Sequence, residues 1–229
     1  MPGEIETPRP TRSWGSGTSA IARLLLAVEE PLTQVAIAEA VGVTQPRASQ
    51  VLKKLTAQAI VRSGSRGYTV AKRARLLDLY LERSRAALVR PEQGWYGTAE
   101  LQDQVRSVLE VVSTTSKSIA VSADVGPDLL VPWRHPTIAI IYTQRELDLG
   151  KARLVRAEGR ADATVLVRTT DDASLLRSFS PWPATVEGIP LADPVQQWRD
   201  LLDLGGDDRR DAAARLRRAI LEHNIRVAA

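Results

Sequence analysis

Residues that can bind nucleic acid cluster on one face of a predicted helix over residues 45–58. At about 100° per residue, this face has Pro46, Gln50 and Lys53 at its centre and Arg47, Lys54 and Ser49 at its flanks. The face carries no acidic residue. Arg and Gln side chains read guanine and adenine edges, and Lys and Arg neutralise phosphates. The pattern predicts a recognition helix for DNA.

The opposite face of the same helix is apolar. It carries Ala48, Val51, Leu52 and Leu55, which are spaced to face a core. An ordinary amphipathic helix with a solvated basic face has the same pattern, so the helix alone leaves this alternative open. The preceding elements favour recognition.

Two further helices precede the recognition helix. The first is predicted over residues 18–29, with Thr18 or Ser19 as its cap, and the core stripe consists of Ile21, Leu24, Leu25 and Val28. Pro31 prevents its continuation. The second is predicted over residues 33–40, and its core contacts are Val35, Ile37, Ala38 and Val41.

A turn at Gly42 joins the second helix to the recognition helix. Glycine tolerates the positive φ that such a turn needs. Thr44 is the predicted N-cap of the recognition helix, and Pro46 stands in its first turn, where a missing N–H costs nothing. Helix, glycine turn and capped helix in this order are typical of a helix-turn-helix.

A basic β-hairpin is predicted directly after the recognition helix. Residues 59–61 and 68–70 flank a glycine-containing turn, and we expect Tyr68 and Val70 to pack on the core. The hairpin has the size of a wing. The full predicted DNA-binding set is Thr44, Gln45, Pro46, Arg47, Ser49, Gln50, Lys53, Lys54, Arg62, Ser65 and Arg66.

Charge is distributed unevenly along the 229 residues. Residues 1–90 hold 14 Lys and Arg against 7 Asp and Glu, whereas residues 91–229 hold 17 against 20. A basic N-terminal third fits a nucleic-acid-binding region on a neutral body.

Composition excludes several classes of site. The chain has no Cys, which rules out disulfides, thiolate metal ligands and a Cys nucleophile, and it has only two His residues, His135 and His223. No apolar run approaches the roughly 20 residues that span a bilayer. The N-terminus lacks the apolar centre of a signal peptide. We expect a cytoplasmic protein without membrane contact.

Four regions follow from these patterns. We predict a disordered arm over residues 1–17, a winged helix-turn-helix over 18–70, a connecting helix and linker over 71–93, and an α/β body over 94–229. The connecting helix, over residues 71–90, is apolar on several sides, so it either packs on both domains or forms a dimer seam.

The body alternates helices and strands, so the predicted fold class is α+β, with a winged helix-turn-helix followed by a small mixed α/β domain. The predicted strands are residues 118–123, 137–142, 152–156 and 163–168. The predicted helices are residues 98–113, 194–204 and 211–224, with a short helix within 124–133 and a helix or loop at 174–179.

The body carries few residues that could support catalysis. Ser122 and Asp124 follow a strand without the Gly-Ser loop or Asp-x-Asp of nucleotidyl transfer, and we read Asp171 and Asp172 as solvent-facing caps. No P-loop or G-x-S-x-G is present. We expect neither an enzyme nor a metal or cofactor. Four tryptophans are interpreted as core or interface anchors, namely Trp95, Trp133, Trp182 and Trp198.

Two resemblances add to this interpretation. Residues 18–70 resemble the winged helix-turn-helix of many bacterial repressors. The body resembles that of the AbiEi family, the antitoxins of type IV toxin–antitoxin systems. The residues that carry the second resemblance are Asp193-Pro194, Asp203-Leu204, Gly206-Asp207, Arg209, Ala213-Ala214 and Leu216.

The AbiEi resemblance implies a transcriptional autorepressor that binds operator repeats in double-stranded DNA. It also implies a C-terminal domain with antitoxin function against a nucleotidyltransferase toxin. Three functions stay open at this point: a DNA-binding repressor, an antitoxin in which DNA binding is secondary, and a ligand-responsive regulator with an effector pocket in the C-terminal domain. A homodimer is also left open.

Overall fold

The N-terminal region folds as three helices and a β-hairpin. The computed structural model describes residues 13–84, 92–113, 118–130 and 135–225. The elements of this region are α1 (Ser16–Ala27), α2 (Gln34–Val41), α3 (Gln45–Ala57), β1 (Val61–Gly64) and β2 (Gly67–Val70). The winged helix-turn-helix arrangement predicted from the sequence is confirmed.

Helix α1 begins two residues earlier than the sequence predicted. Its N-cap is Gly15, so Thr18 lies inside the first turn and does not cap the helix, and residues 16 and 17 belong to α1 and not to the arm. Residues 1–12 of the predicted arm lie outside the described residues. Ile21, Leu24 and Leu25 are buried as the apolar stripe predicted.

The connecting helix packs on both halves of the molecule. Helix α4 (Arg73–Arg83) buries Leu76, Leu77, Leu79 and Tyr80. It lies against α1 on one side, and Tyr80 donates a hydrogen bond to Gln196 of the body on the other. Of the two placements left open by the sequence, the structure therefore shows packing on both parts of the chain.

The body is built on a five-stranded mixed sheet. Its strands are β3 (Glu92–Tyr96), β4 (Ile119–Ala123), β5 (Ala139–Thr143), β6 (Val155–Arg156) and β7 (Val165–Thr169). The spatial order is β4-β5-β7-β3-β6, in which β5 and β7 are parallel and the other pairs are antiparallel. A small hairpin of β8 (Thr185–Val186) and β9 (Ile189–Pro190) lies beside the sheet.

Strand β3 begins in the last two residues of the predicted linker, 92 and 93, and continues into the predicted body. Gly94 lies within it, where an added Cβ would stand 3.2 Å from the Cβ atoms of Ala157 and Ala163. The glycine therefore leaves room for two alanine side chains and does not mark a break. Because β3 pairs with both β6 and β7, the segment after the linker is an internal part of the sheet.

Helices cover the sheet. They are α5 (Leu101–Ser113), α6 (Val125–Leu130), α7 (Pro194–Leu204) and α8 (Asp207–Leu221), and short 3₁₀ helices span Gly150–Ala152, Arg160–Asp162 and Ala173–Leu176. Helix α8 begins four residues before its predicted start, with Gly206 as its N-cap, so Asp207 and Asp208 lie in its first turn. Carboxylates at this place favour the helix through its dipole.

The apolar core is continuous from the N-terminal region into the body. Buried residues from α1 through α8 belong to one cluster, which includes Leu26, Leu77, Val121 and Leu216. A second, smaller cluster covers the other face of the central strands through Ile140 and Leu166. Among the described helices, none is long and apolar enough to cross a membrane.

Candidate nucleic-acid interface

The turn between α2 and α3 sets the recognition helix in place. Gly42 has φ 80°, the left-handed conformation that glycine adopts without steric cost. Thr33 caps α2 by accepting a hydrogen bond from Ala36 N at 3.2 Å, and Gln34 Nε2 donates to Gln45 O at 3.2 Å. Thr44 holds the N-cap position of α3 but makes no side-chain capping bond. The two helices are therefore joined by backbone geometry and by one side-chain bridge.

Helix α3 is two-faced as predicted. Its buried residues are Ala48, Val51, Leu52 and Leu55. The side chains predicted to meet DNA lie outside: all eleven members of the set are exposed except Ser49, which is half-buried. One predicted core contact of α2 was wrong, because Val35 is 47% exposed.

The wing is held against the connection between α1 and α2. Leu32 N donates to Tyr68 O at 3.0 Å, and Tyr68 N donates to Leu32 O at 2.8 Å. Gly67 has φ 129°, and a Cβ there would lie 2.5 Å from Leu32 O. Only glycine lets the two backbones come this close. The sequence held no signal for this pairing, because Leu32 stands alone between a proline and a helix cap.

The wing residues take their predicted places. Strand β1 pairs with β2 in antiparallel register, Val61 opposite Val70 and Gly64 opposite Gly67. Arg62, Ser65 and Arg66 are exposed. Tyr68 and Val70 are half-buried and pack on the core, which confirms that prediction.

The cations of α3 and the wing are exposed and are not neutralised by ion pairs in the part of the chain that the structure describes. Within the described residues, none of Lys53, Lys54, Arg62 and Arg66 forms an ion pair with a carboxylate. Unpaired exposed cations on one surface create a positive potential that attracts phosphates. The surface formed by α3 and the wing is therefore suited to a polyanion.

Arg47 is placed differently from the other candidates. Its Nη2 donates to Thr18 Oγ1 of α1 at 2.9 Å. A guanidinium has five N–H donors, so donors remain for a base or a phosphate. This contact was not predicted, because Thr18 was interpreted as a helix cap.

The polar residues considered as catalytic candidates, Ser122, Asp124 and Asp172, contact different partners. Ser122 Oγ donates to Asp200 Oδ2 at 2.6 Å, and Asp124 pairs with Arg209 at 2.8 Å. Asp172 caps the 3₁₀ helix Ala173–Leu176 by accepting from Ser174 N at 3.0 Å, which confirms the predicted cap. Asp171 is exposed as predicted, whereas Asp172 is buried, so the prediction that it faces solvent was wrong. Throughout the described ranges, no group of three or more His, Asp and Glu residues is arranged to hold a metal ion.

A buried charge joins the helix-turn-helix to the body. Arg23 of α1 is fully buried, and its Nε lies 2.7 Å from Asp193 Oδ2, in an ion pair with the N-cap of α7. Its Nη2 donates to Ser174 Oγ at 2.5 Å, and Asp172 lies 3.8 Å away. Burial raises the pKa of Asp193 to about 6, against the opposing effect of Arg23. The sequence missed this pair because Arg23 sits inside an apolar helix.

A chain of hydrogen bonds continues from Arg23 into the sheet. Arg23 Nη1 donates to Tyr80 OH at 3.2 Å, and Tyr80 OH donates to Gln196 Oε1 at 2.6 Å. Gln196 Nε2 donates to Tyr142 OH at 2.7 Å, and Tyr142 OH donates to Asp200. Burial raises the pKa of Tyr80 to about 12, so its hydroxyl keeps its proton.

Three tryptophans serve as the anchors that the sequence predicted. Trp95, Trp182 and Trp198 are each at most 6% exposed and belong to the main core. Trp133 lies outside the described residues. These rings stabilise the body by burial and line none of the candidate DNA contacts.

Comparison with known proteins bears on the N-terminal region. Residues 19–79 match the family model described as a Crp-like helix-turn-helix domain. Neither the curated proteins nor the solved structures contain a match. The AbiEi antitoxin identity is not confirmed by these comparisons. The matched residues span α1, α2, α3, the wing and most of α4, so the chain carries a winged helix-turn-helix region similar to those of DNA-binding transcription regulators.

Proposed function

We propose that this protein is a sequence-specific transcriptional repressor that places α3 in the major groove of its operator and the wing on the DNA backbone. The observation that carries the proposal is the exposed, acid-free face of α3 beside an unpaired basic wing. The match of residues 19–79 to a Crp-like helix-turn-helix domain supports DNA as the polyanion.

Roles follow from side-chain chemistry. We assign base reading to Arg47 and Gln50, with Thr44 and Gln45 near the groove. Lys53, Lys54, Arg62 and Arg66 neutralise phosphates. In this proposal the protein represses by occupying the promoter.

A footprint of the purified protein on its own promoter tests this function. The proposal expects protection of an inverted or direct repeat at nanomolar protein, competed poorly by unrelated DNA. Equal protection of all sequences at every salt concentration would leave only non-specific binding and would refute a sequence-specific repressor.

We further propose that the body is not catalytic. Its buried charged groups neutralise each other: Arg168 lies 3.0 Å from Asp200 and 2.8 Å from Glu92. Because Arg168 and Asp200 are buried, they are shielded from a substrate.

The AbiEi resemblance supports a second function, that of an antitoxin. The residues that carry the resemblance form the N-cap of α7, the α7–α8 turn and the first turns of α8. Co-expression with a nucleotidyltransferase encoded by a neighbouring gene tests this: rescue of growth supports the antitoxin, and unchanged toxicity refutes it. A third function, regulation by a ligand, has its strongest support in a cavity beside α3 and not in the body.

A further inference from the structure

A cavity of about 400 Å³ lies between the start of α1, the flank of α3 and the end of α4. We call it the α3 pocket. Residues from all three elements line it, chief among them Trp14, Thr18, Arg47, Gln50, Lys54 and Arg83. We propose that the α3 pocket binds a small organic anion with an apolar body, and that this anion competes with DNA for α3. The competition, though not the binding, rests on the proposed DNA-binding function.

The charge of the α3 pocket calls for an anion. Among the described residues that line it, three are cations, Arg47, Lys54 and Arg83, and none is acidic. Over the described ranges, none of the three is ion-paired with a carboxylate. Arg83 Nε is also buried without a hydrogen-bond partner. Three unpaired cations, with no carboxylate among the described residues of the lining, favour an anionic ligand.

The pocket also has apolar walls. Val51 and Leu55 of α3 are buried at its side, and Trp14 packs on the same core. The backbone of Trp14 is tied to the end of α4, because the main-chain N–H of Trp14 donates to Arg83 O at 2.7 Å. A tryptophan ring offers both a stacking face and an N–H donor. The occupant should therefore carry an apolar or aromatic body in addition to its acidic group.

The size of the pocket favours a small molecule over a single phosphate of the DNA backbone. Small-molecule sites enclose about 300–1,000 Å³, a range that includes this cavity. A backbone phosphate would use the cations but would leave the apolar walls unfilled.

Competition follows from the shared residues. Arg47, Gln50 and Lys54 line the pocket and also belong to the predicted DNA-binding set. One donor cannot serve both partners, so each ligand should weaken the other reciprocally. With exclusive binding, an anion at about ten times its dissociation constant lowers operator affinity about tenfold.

Phenyl phosphate and benzoate are suitable probes, with inorganic phosphate and benzyl alcohol as controls that lack the apolar body or the charge. Binding is measured by amide chemical shifts on the full chain without DNA. We expect saturable shifts at Thr18, Arg47 and Lys54 with both probes at millimolar concentration, and weak or absent shifts with the controls. The proposal would be overturned if neither probe bound saturably. It would also be overturned if inorganic phosphate caused shifts as large as those of the two probes.

Arg83→Gln separates the two occupants, because Arg83 is outside the DNA-binding set. We expect it to weaken phenyl phosphate about tenfold or more, and to leave operator affinity and its salt dependence unchanged. The matched control is Arg75→Gln on the same helix, which removes the same charge at an exposed position. If Arg83→Gln instead flattens the salt dependence of DNA binding by about 0.9 per contact, the pocket holds a backbone phosphate and the proposal is wrong.

The two proposals fail independently. Anion binding to the DNA-free protein does not depend on whether the chain recognises an operator. A protein that binds phenyl phosphate in the pocket but protects no promoter would contradict the repressor. A protein that protects its promoter but gives no probe shifts would contradict only the anion site. Unfolding temperatures of both Arg→Gln variants establish that the fold is intact.

Discussion

Arg47 stands at the boundary between α1 and the DNA-binding face. The hydrogen bond from its Nη2 to Thr18 holds one end of the guanidinium. The orientation of the remaining N–H groups is therefore restricted as well. A side chain ordered before binding loses less entropy when it meets a base. Arg47 is therefore better suited to a specific contact with a base than a freely moving cation would be.

Replacement of Arg47 tests its assigned role. Arg47→Ala is expected to lower operator affinity by about 1–3 kcal/mol and to relax discrimination at one base pair. Binding to the operator and to a set of single-base variants is the measurement. A uniform loss across all sequences would reassign Arg47 to a phosphate.

Arg23, in contrast to Arg47, is fully buried, so its role is structural. Its removal would leave Asp193 and Asp172 in the interior without their cation. Arg23→Ala is expected to lower the free energy of unfolding by about 3–5 kcal/mol.

Urea denaturation measures that loss. Arg75→Ala is the control, because the Arg75–Glu82 pair is exposed and should contribute at most about 1 kcal/mol. Equal effects of the two replacements would show that the buried pair has no special weight.

At the scale of elements, the wing depends on a single glycine. Gly67→Ala forces a Cβ into Leu32 O and keeps an unfavourable φ, so it should cost at least about 1–3 kcal/mol and should weaken DNA binding. The control is Gly64→Ala in the same hairpin, where the nearest atom lies 3.8 Å away and φ is ordinary. Thermal unfolding and operator affinity are compared for both. Similar behaviour of the two variants would contradict the wing's attachment through Leu32.

The elements show what periodicity predicts and what it misses. Apolar stripes at helical spacing placed α1 to α3 within about two residues, because burial of one face decides helix register. Strand β3 was missed, since Glu92 to Tyr96 has no alternation and contains a glycine that reads as a break. Its position depends on partners far along the chain, namely β6 and β7.

The exposure of the residues proposed to bind DNA was easier to predict than the interior that supports them. Their places on α3 and the wing follow from exposed cations and turn glycines, which are local features of the sequence. The Arg23–Asp193 pair and the α3 pocket join residues distant in sequence, and no local pattern reports such contacts. The burial of Asp172 was missed for the same reason, because Arg23, which lies 3.8 Å from it, is on α1.

At the scale of the whole molecule, the DNA-binding region and the body share one core and a buried polar network. We expect the two parts to unfold together. Helical circular dichroism and tryptophan fluorescence, which reports mainly on Trp95, Trp182 and Trp198 in the body, should give coincident transitions. Two separated transitions would show that the network does not couple the parts.

DNA recognition by α3 can be tested with a Gln50→Ala, Lys53→Ala variant. The measurement is its affinity for the promoter segment that the parent protein protects. The matched control is Gln144→Ala, Lys151→Ala, which removes the same residue types at exposed positions of the body. We expect the α3 variant to lose at least about tenfold in operator affinity, with a smaller salt dependence, and the control to bind like the parent. An α3 variant that binds every DNA as well as the parent does would contradict recognition by α3.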